Sequence, residues 1–382
     1  MSSHPYEHIL QAIRDDHRWR ALRSWPGAGG IIHKDGRRLL NFSSNDYLDL
    51  ANAPALKQAV REALDAYGCG ATASRLMSGD LDIHRNLEQA IAQLTGQASA
   101  LVFPSGYQAN VGVLQALAGR DDAIFSDALN HASIIDGARL SRAAIHVYRH
   151  ADTDHLAELL DAAPPTGRKI IVTDSVFSMD GDLAPLEAIA GLARSAGAVL
   201  VVDEAHALGV WGGGGGLCRA LGVTPDLITG TFGKAFGAGG AFAAGSAPYR
   251  DLLINTARSF IFSTGLTPMN AAAARAAVRA VADHPGWGDE LRAQSALFQA
   301  ELRARGVPVQ PSETQIVPVP VGDNQRAVDL GAALLDRDII ATGIRPPTVP
   351  PGTARLRFSV TRAHSEDDLR HAAAAVAEAL DV

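Results

Sequence analysis

Cysteine is almost missing from the chain. Two residues, Cys69 and Cys218, in 382 exclude a disulfide framework and a cysteine metal cluster, and they suit a reducing compartment. The thirteen histidines show no HExxH-like spacing, so no metal site is expected. Charge of one sign is not concentrated anywhere: 34 basic against 41 acidic residues leave a net charge of −7 without a basic cluster, which argues against nucleic acid as a partner. An unbroken apolar run of membrane length is lacking too. Gln89 to Gly119 carries no charge, but Thr95-Gly96 and Pro104-Ser105-Gly106 interrupt it, so a soluble helix, strand and loop are expected and no membrane association. The first residues hold early charges and no apolar leader core, which leads to the expectation of a cytoplasmic protein. No segment repeats at a fixed period. The glycine-rich stretches lack the first glycine and final Ser/Thr of a P-loop, and the third glycine of a dinucleotide fingerprint. The run Gly212–Gly216 after Trp211 reads as a flexible loop.

With 47% hydrophobic and 20% charged residues, the chain can bury a large core and more than one domain. Its informative centre is Ala198 to Gly237. Ala198 to Val202 is an apolar, β-branched run of the kind found in a strand covered on both faces, and it stops at Asp203-Glu204-Ala205-His206. Leu227 to Thr231 is a second strand, ending in Gly233-Lys234 and the glycine-rich AFGAGG. Carboxylate, imidazole and amine thus fall at the carboxyl ends of neighbouring strands, where open parallel sheets bind ligands. A partly desolvated lysine can form a Schiff base with a carbonyl, and an aspartate can keep a pyridinium nitrogen protonated, the two main protein contributions to pyridoxal 5′-phosphate (PLP) chemistry. Taken singly, an aspartate at a strand end is more often a helix cap and a lone lysine usually a solvated surface group; only their conjunction points to a cofactor.

The surrounding chain predicts an α/β fold. Residues 4 to 23 have helical spacing, with Arg23 just before the break at Trp25-Pro26-Gly27. A hairpin is expected from Gly30 to Phe42 around Lys34-Asp35-Gly36, then a polar turn in which Asn45 either reaches a ligand or closes an Asx turn. Helices are predicted over 54–67 and 84–94. Strands are predicted at 99–103, 123–126, 144–148, 169–173, 198–202, 227–231 and 240–244, alternating with helices as a mostly parallel sheet requires. Pro104-Ser105-Gly106-Tyr107 offers helix amino-terminal amides to a phosphate and an aromatic wall, or is a plain capping loop. His131 can stack on a planar ring or be an incidental residue in a helix cap, and Ser178 can donate to a phenolate oxygen. After residue 283 a smaller α+β unit follows. It ends in a proline loop and a strand on which Arg355 and Arg357 share a face, suited to gripping a carboxylate or to lying solvated.

The motifs NFSSNDYL (41–48), SDALNHASIIDGARLS (126–141), SVFSMDGDLAPL (175–186), DEAHALGVWG (203–212), TFGKAFG (231–237), VGDN (321–324) and IRPPTVPPGTARLR (344–357) together resemble the α-oxoamine synthases, a branch of the fold-type I PLP enzymes. The resemblance spans nearly the whole chain. It implies a fold-type I transferase: an amino-terminal helix and hairpin segment (1–50), a large PLP-binding α/β domain around a seven-stranded sheet (51–283) and a small carboxy-terminal α+β domain (284–382). It also implies that Lys234 carries the Schiff base, Asp203 meets the pyridinium nitrogen, and His131 stacks over the ring. His206 and Ser178 would meet the phenolate oxygen, with Thr231, Gly106 and Tyr107 on the phosphate. Arg23, His131, Thr348 and Arg357 would contact substrates. The proline loop is the most specific discriminator within the branch. It favours an acyltransferase joining L-alanine to a pimeloyl thioester, of CoA or a carrier protein, over a relative that condenses glycine with another acyl-CoA. A homodimer is implied as well. Asp49 and Ala207 depart from the branch, each standing where glycine is usual.

Overall fold

The computed structural model describes residues 4–164 and 166–381. Two compact units emerge: one holds Asp46–Ser178 and Asp182–Glu290; the other gathers the chain up to Asn45, Met179–Gly181, and the chain from Leu291 onward.

The large unit is built on seven strands: β1 (Ser99–Phe103), β2 (Ala123–Asp127), β3 (Ala144–Tyr148), β4 (Lys169–Asp174), β5 (Val199–Asp203), β6 (Leu227–Thr231) and β7 (Ala241–Gly245). Their order across the sheet is β1-β7-β6-β5-β4-β2-β3. The run β6-β5-β4-β2-β3 is parallel, and β7 is antiparallel to both its neighbours. The sequence pattern therefore located all seven, within a residue or so at each end. Their apolar runs are continuous because helices cover the sheet: Ala109, Val113, Leu114 and Leu117 of α1 (Gly106–Leu117) pack with Ile134 and Ala138 of α2 (Ala132–Ser141) against Leu101, Phe103, Ile124, Ile170 and Val201. Each fully buried leucine or isoleucine there is worth about 1.5–3 kcal/mol. The uncharged stretch from Gln89 resolves into the end of a helix (Asp82–Thr95), β1 and α1. Among the described residues, no helix is long and apolar enough to cross a membrane.

The smaller unit contains a three-stranded sheet of the hairpin Ile31–Lys34 and Arg37–Asn41 with Ile339–Ile340. Its turn is Asp35-Gly36, both left-handed (φ +52° and +77°), the geometry that suits a two-residue hairpin. In a second sheet, Ala354–Ser359 lies between Ile316–Gly322 and Thr342–Ile344. Phe42, Phe298 and Phe358 form its aromatic core, with centroids 5.2–5.6 Å apart.

Two expectations are corrected. The first helix covers only Glu7–Asp15 of the predicted 4–23, and its apolar face buries no residue; unsupported by packing, the helical pattern does not continue past His17, which is left-handed (φ +53°). The glycine run is a packed turn, not a flexible loop. Gly214 to Gly216 are buried, and a Cβ at Gly214 or Gly216 would meet Val281 at 2.1 Å or the Glu204 carboxyl at 2.9 Å.

Candidate active site

The floor of the site is set where β4 and β5 end. Asp203 is buried; its Oδ2 accepts from Asn110 Nδ2 at 2.6 Å and its Oδ1 from the Ala205 N–H at 2.9 Å. Asn110, on α1, also donates to Ser133 Oγ at 2.9 Å and accepts from Thr229 Oγ1 at 2.7 Å, so its amide orientation is fixed and it holds the carboxylate still. Asp174 is the register partner of Asp203 across the two strands and accepts the His131 N–H at 2.8 Å. Burial, then the nearby Asp203, push its pKa well above the usual carboxylate range. The neighbouring Glu204 takes a different part. It is fully buried and accepts from Ser175 Oγ (2.9 Å) and the N–H groups of Leu217 (2.9 Å) and Cys218 (2.6 Å), so it anchors the glycine turn.

The walls come from the loops that follow the strands. After β6, Lys234 Nζ lies 2.8 Å from His206 Nε2, whose other nitrogen, Nδ1, lies 2.7 Å from the hydroxyl of the fully buried Tyr47. His131 caps α2, with Nδ1 2.7 Å from Ser133 Oγ. Its pKa is lowered by burial, with Lys234 adding to the shift and Asp203 opposing it, so a neutral ring is favoured. Gly106 opens α1, and a Cβ built on it would lie 3.6 Å from Thr231 Cβ; a longer side chain would fill the space between the helix amino terminus and the Thr231 hydroxyl. The Tyr107 hydroxyl donates to Asp136, which fixes the ring at the rim.

Gly106, Tyr107, His131, Asp203, His206, Thr231 and Lys234 line one cavity. Ser178 is not among its walls; it stands on the turn closed by the Val176–Leu183 bridge. That turn is pinned by His150, which places Nδ1 2.9 Å from Asp127 and Nε2 2.6 Å from Asp182. Burial alone would lower the pKa of His150, but the two carboxylates overcome it and raise it to about 10. Arg23, Thr348 and Arg357 belong to the smaller unit. There Arg357 is buried and donates to Ser359 Oγ (2.8 Å) and Asn45 Oδ1 (3.2 Å), while Arg355 is engaged by Asp180. Asn45 therefore serves as a guanidinium acceptor. Thr348 Oγ1 accepts from Arg20 at 3.4 Å, and Arg23 is exposed on a hollow shared with Trp25 and Lys34.

Asn110, Tyr47, Asp174, Ser133 and Thr229 escaped the sequence reading. Asn110 carried a usable signal, since it lies four residues after Gly106 on one helix and so on the same face. Tyr47 carried none: nothing in a turn sequence reveals an imidazole 159 residues away.

The chemistry of these donors fits PLP: an amine for its aldehyde, an anchored carboxylate for its ring nitrogen, an imidazole for its ring face, and helix amides with a hydroxyl for its phosphate. The chain belongs to the family of class I and II aminotransferases, whose sequence profile matches residues 37–376. Within it, the similarity is to 8-amino-7-oxononanoate synthases: that of Geobacter sulfurreducens is 48% identical over 96% of each chain, and that of an Anaeromyxobacter strain (Fw109-5) is 50% identical over 93% of this chain and 90% of its own. Among solved structures, serine palmitoyltransferase of Sphingomonas wittichii superposes with a TM-score of 0.92 at 30% identity, covering 99% of this chain and 98% of its own. A structure of SPT with its PLP internal aldimine gives 0.93 at 28% identity, over 98% of both chains. The Francisella tularensis 8-amino-7-oxononanoate synthase gives 0.76 at 28%, covering 90% of this chain and 98% of its own. The fold is thus that of fold-type I PLP transferases, and PLP is the cofactor of the family.

Proposed function

We propose that this chain is a PLP-dependent acyltransferase that condenses L-alanine with a pimeloyl thioester, releasing CoA or carrier protein and CO₂ and yielding 8-amino-7-oxononanoate for biotin synthesis. The observation that carries the reading is the convergence of Lys234, Asp203 and His131 on one cavity in a chain near-half identical to synthases of that name over almost its full length.

PLP, when bound, supplies an electron sink that makes a carbanion at the amino acid α-carbon accessible. The protein's part is to hold and to move protons. Lys234 would hold the cofactor through its aldehyde, and its Nζ is the base that would take the α-proton. Asp203, held in place by the Asn110 and Ala205 donors, would meet the ring nitrogen. In this reading His131 would stack on the ring, and His206 and Ser178 would meet the phenolate oxygen. The α1 amides at Gly106 and Tyr107, with Thr231, bind the phosphate. Arg23, His131, Thr348 and Arg357 are the substrate-binding residues in this reading, Arg357 as the bidentate grip on a carboxylate. A homodimer acting in the cytoplasm completes it.

The test is an assay of purified protein with PLP, L-alanine and pimeloyl-CoA, followed by product mass. Thiol release with formation of 8-amino-7-oxononanoate is expected. Turnover only when glycine replaces alanine would reject this reading.

A further inference from the structure

We propose that Asp174 is a positioning residue for His131: its carboxyl holds the His131 backbone N–H and so fixes where that imidazole stands over the cofactor ring. The inference rests on the reading of His131 as the group that stacks on PLP, and it names what sets the place of that group relative to Asp203.

The geometry is a clasp between a loop and a strand end. The ladder between β2 and β4 has its last registered pair at Ser126 and Val172. Beyond it the side-chain amide of Asn130 takes the place of a peptide group: Nδ2 donates to the Val172 carbonyl at 2.9 Å, and Oδ1 accepts the Asp174 N–H at 2.9 Å. The next residue, His131, gives its own N–H to Asp174 Oδ2 at 2.8 Å. The direction of all three bonds is settled by chemistry. A backbone N–H only donates and a backbone carbonyl only accepts, so the Asn130 amide has one orientation and Asp174 must be the acceptor. Asn130 and Asp174 are both buried, where a hydrogen bond once made is costly to lose.

The clasp matters because of where Asp174 stands. It is the register partner of Asp203 on β5, and both acids line the cavity together with His131. Fastening the His131 backbone to Asp174 therefore references the ring-face imidazole to the same sheet edge that carries the ring-nitrogen acid. The imidazole is held from its other side as well, with Nδ1 2.7 Å from Ser133 Oγ in the first turn of α2. Without the carboxyl oxygen, the His131 N–H loses the acceptor that fastens it to β4, and the start of α2 is freed to shift from the strand.

The experiment titrates PLP into the full-length chain freed of cofactor and reads the dissociation constant from protein fluorescence, with thermal unfolding of each variant as the check on folding. His131→Ala is expected to weaken PLP binding about tenfold, the loss of one aromatic stacking contact. Asp174→Ala is expected to weaken it about fivefold, and Asp174→Asn, whose amide oxygen accepts the same N–H, to stay within about twofold of wild type. The double variant His131→Ala/Asp174→Ala is expected to bind no more weakly than His131→Ala alone, because a residue that acts through the imidazole then has nothing to act on. Additive losses overturn the proposal, as do a wild-type constant in Asp174→Ala and a loss in Asp174→Asn as large as in Asp174→Ala. A second measurement needs no substitution: the His131 amide is expected to exchange its hydrogen slowly in NMR, and free exchange there overturns the clasp. Wild-type binding by His131→Ala would overturn the assignment of His131 to the ring and the role of Asp174 with it, whereas wild-type protein that takes up no PLP would overturn the functional reading itself, which separates the failures.

Discussion

The edge of the seven-stranded sheet and the arginine strand of the smaller unit solve the same problem differently. At the sheet edge, every polar side chain that meets the cavity floor is tied to another element: Asp203 to Asn110, Asn110 to Thr229 and Ser133, and Asp174 to the His131 amide. Of the substrate-binding candidates in the smaller unit, only Arg357 is buried and held, whereas Arg23 and Thr348 lie on exposed chain. The lesson is that side chains at the strand ends cannot move without breaking buried hydrogen bonds, while Arg23 and Thr348 sit on exposed, more replaceable chain.

The sharpest way to break that contrast is at its centre. Lys234→Ala is expected to lower turnover by at least about 10³-fold, and Asp203→Asn by about 10²–10³-fold while still binding PLP, measured by steady-state rate and cofactor absorbance. A near-normal rate in either variant would remove the chemistry from the sheet edge. Arg357→Lys should act on the other side of the comparison, raising KM for the carboxylate-bearing substrate about tenfold with kcat little changed, because an ammonium cannot grip a carboxylate bidentately. An equal fall in kcat would show that Arg357 takes part in the chemistry.

His150 tests the support beneath the Ser178 turn. A histidine whose pKa is raised from 6.5 to about 10 by its partners contributes stability that is fully present below pH 6.5 and lost as the pH climbs through about 10. The Tm difference between wild type and His150→Gln should therefore be widest in mild acid and should close toward pH 10; a constant gap would mean that packing against Phe177, not the charge, holds the turn. The smallest effect is expected at Asp49. It is left-handed, with φ +56°, where the branch usually has glycine. Aspartate tolerates that conformation at modest cost, so Asp49→Gly should change stability by no more than about 1 kcal/mol in thermal unfolding, with activity intact. Ala207, the other departure, is fully buried.

Most of the fold was legible because its signals are local. Seven apolar runs, each followed by small and polar residues, mark seven strands, and Asp35-Gly36 marks a hairpin by the backbone angles it permits. Local signals fail where docking decides. The helix within 4–23 buries no side chain among the described residues and stops at Asp15, and five consecutive glycines look flexible until Glu204 and Val281 are seen packed on them.

By itself the sequence determined where the strands fall along the chain, the placement of Asp203 and Lys234 at or just past strand ends, and the family they define, since each depends on residue type and spacing along the chain. Only the tertiary structure decided that Asn110 orients Asp203, that Asp174 lies beside it, and that Tyr47 stands behind His206. Those are contacts between segments far apart in sequence, and a hydrogen bond is selected by distance and direction in space, which no pattern along one strand of chain encodes.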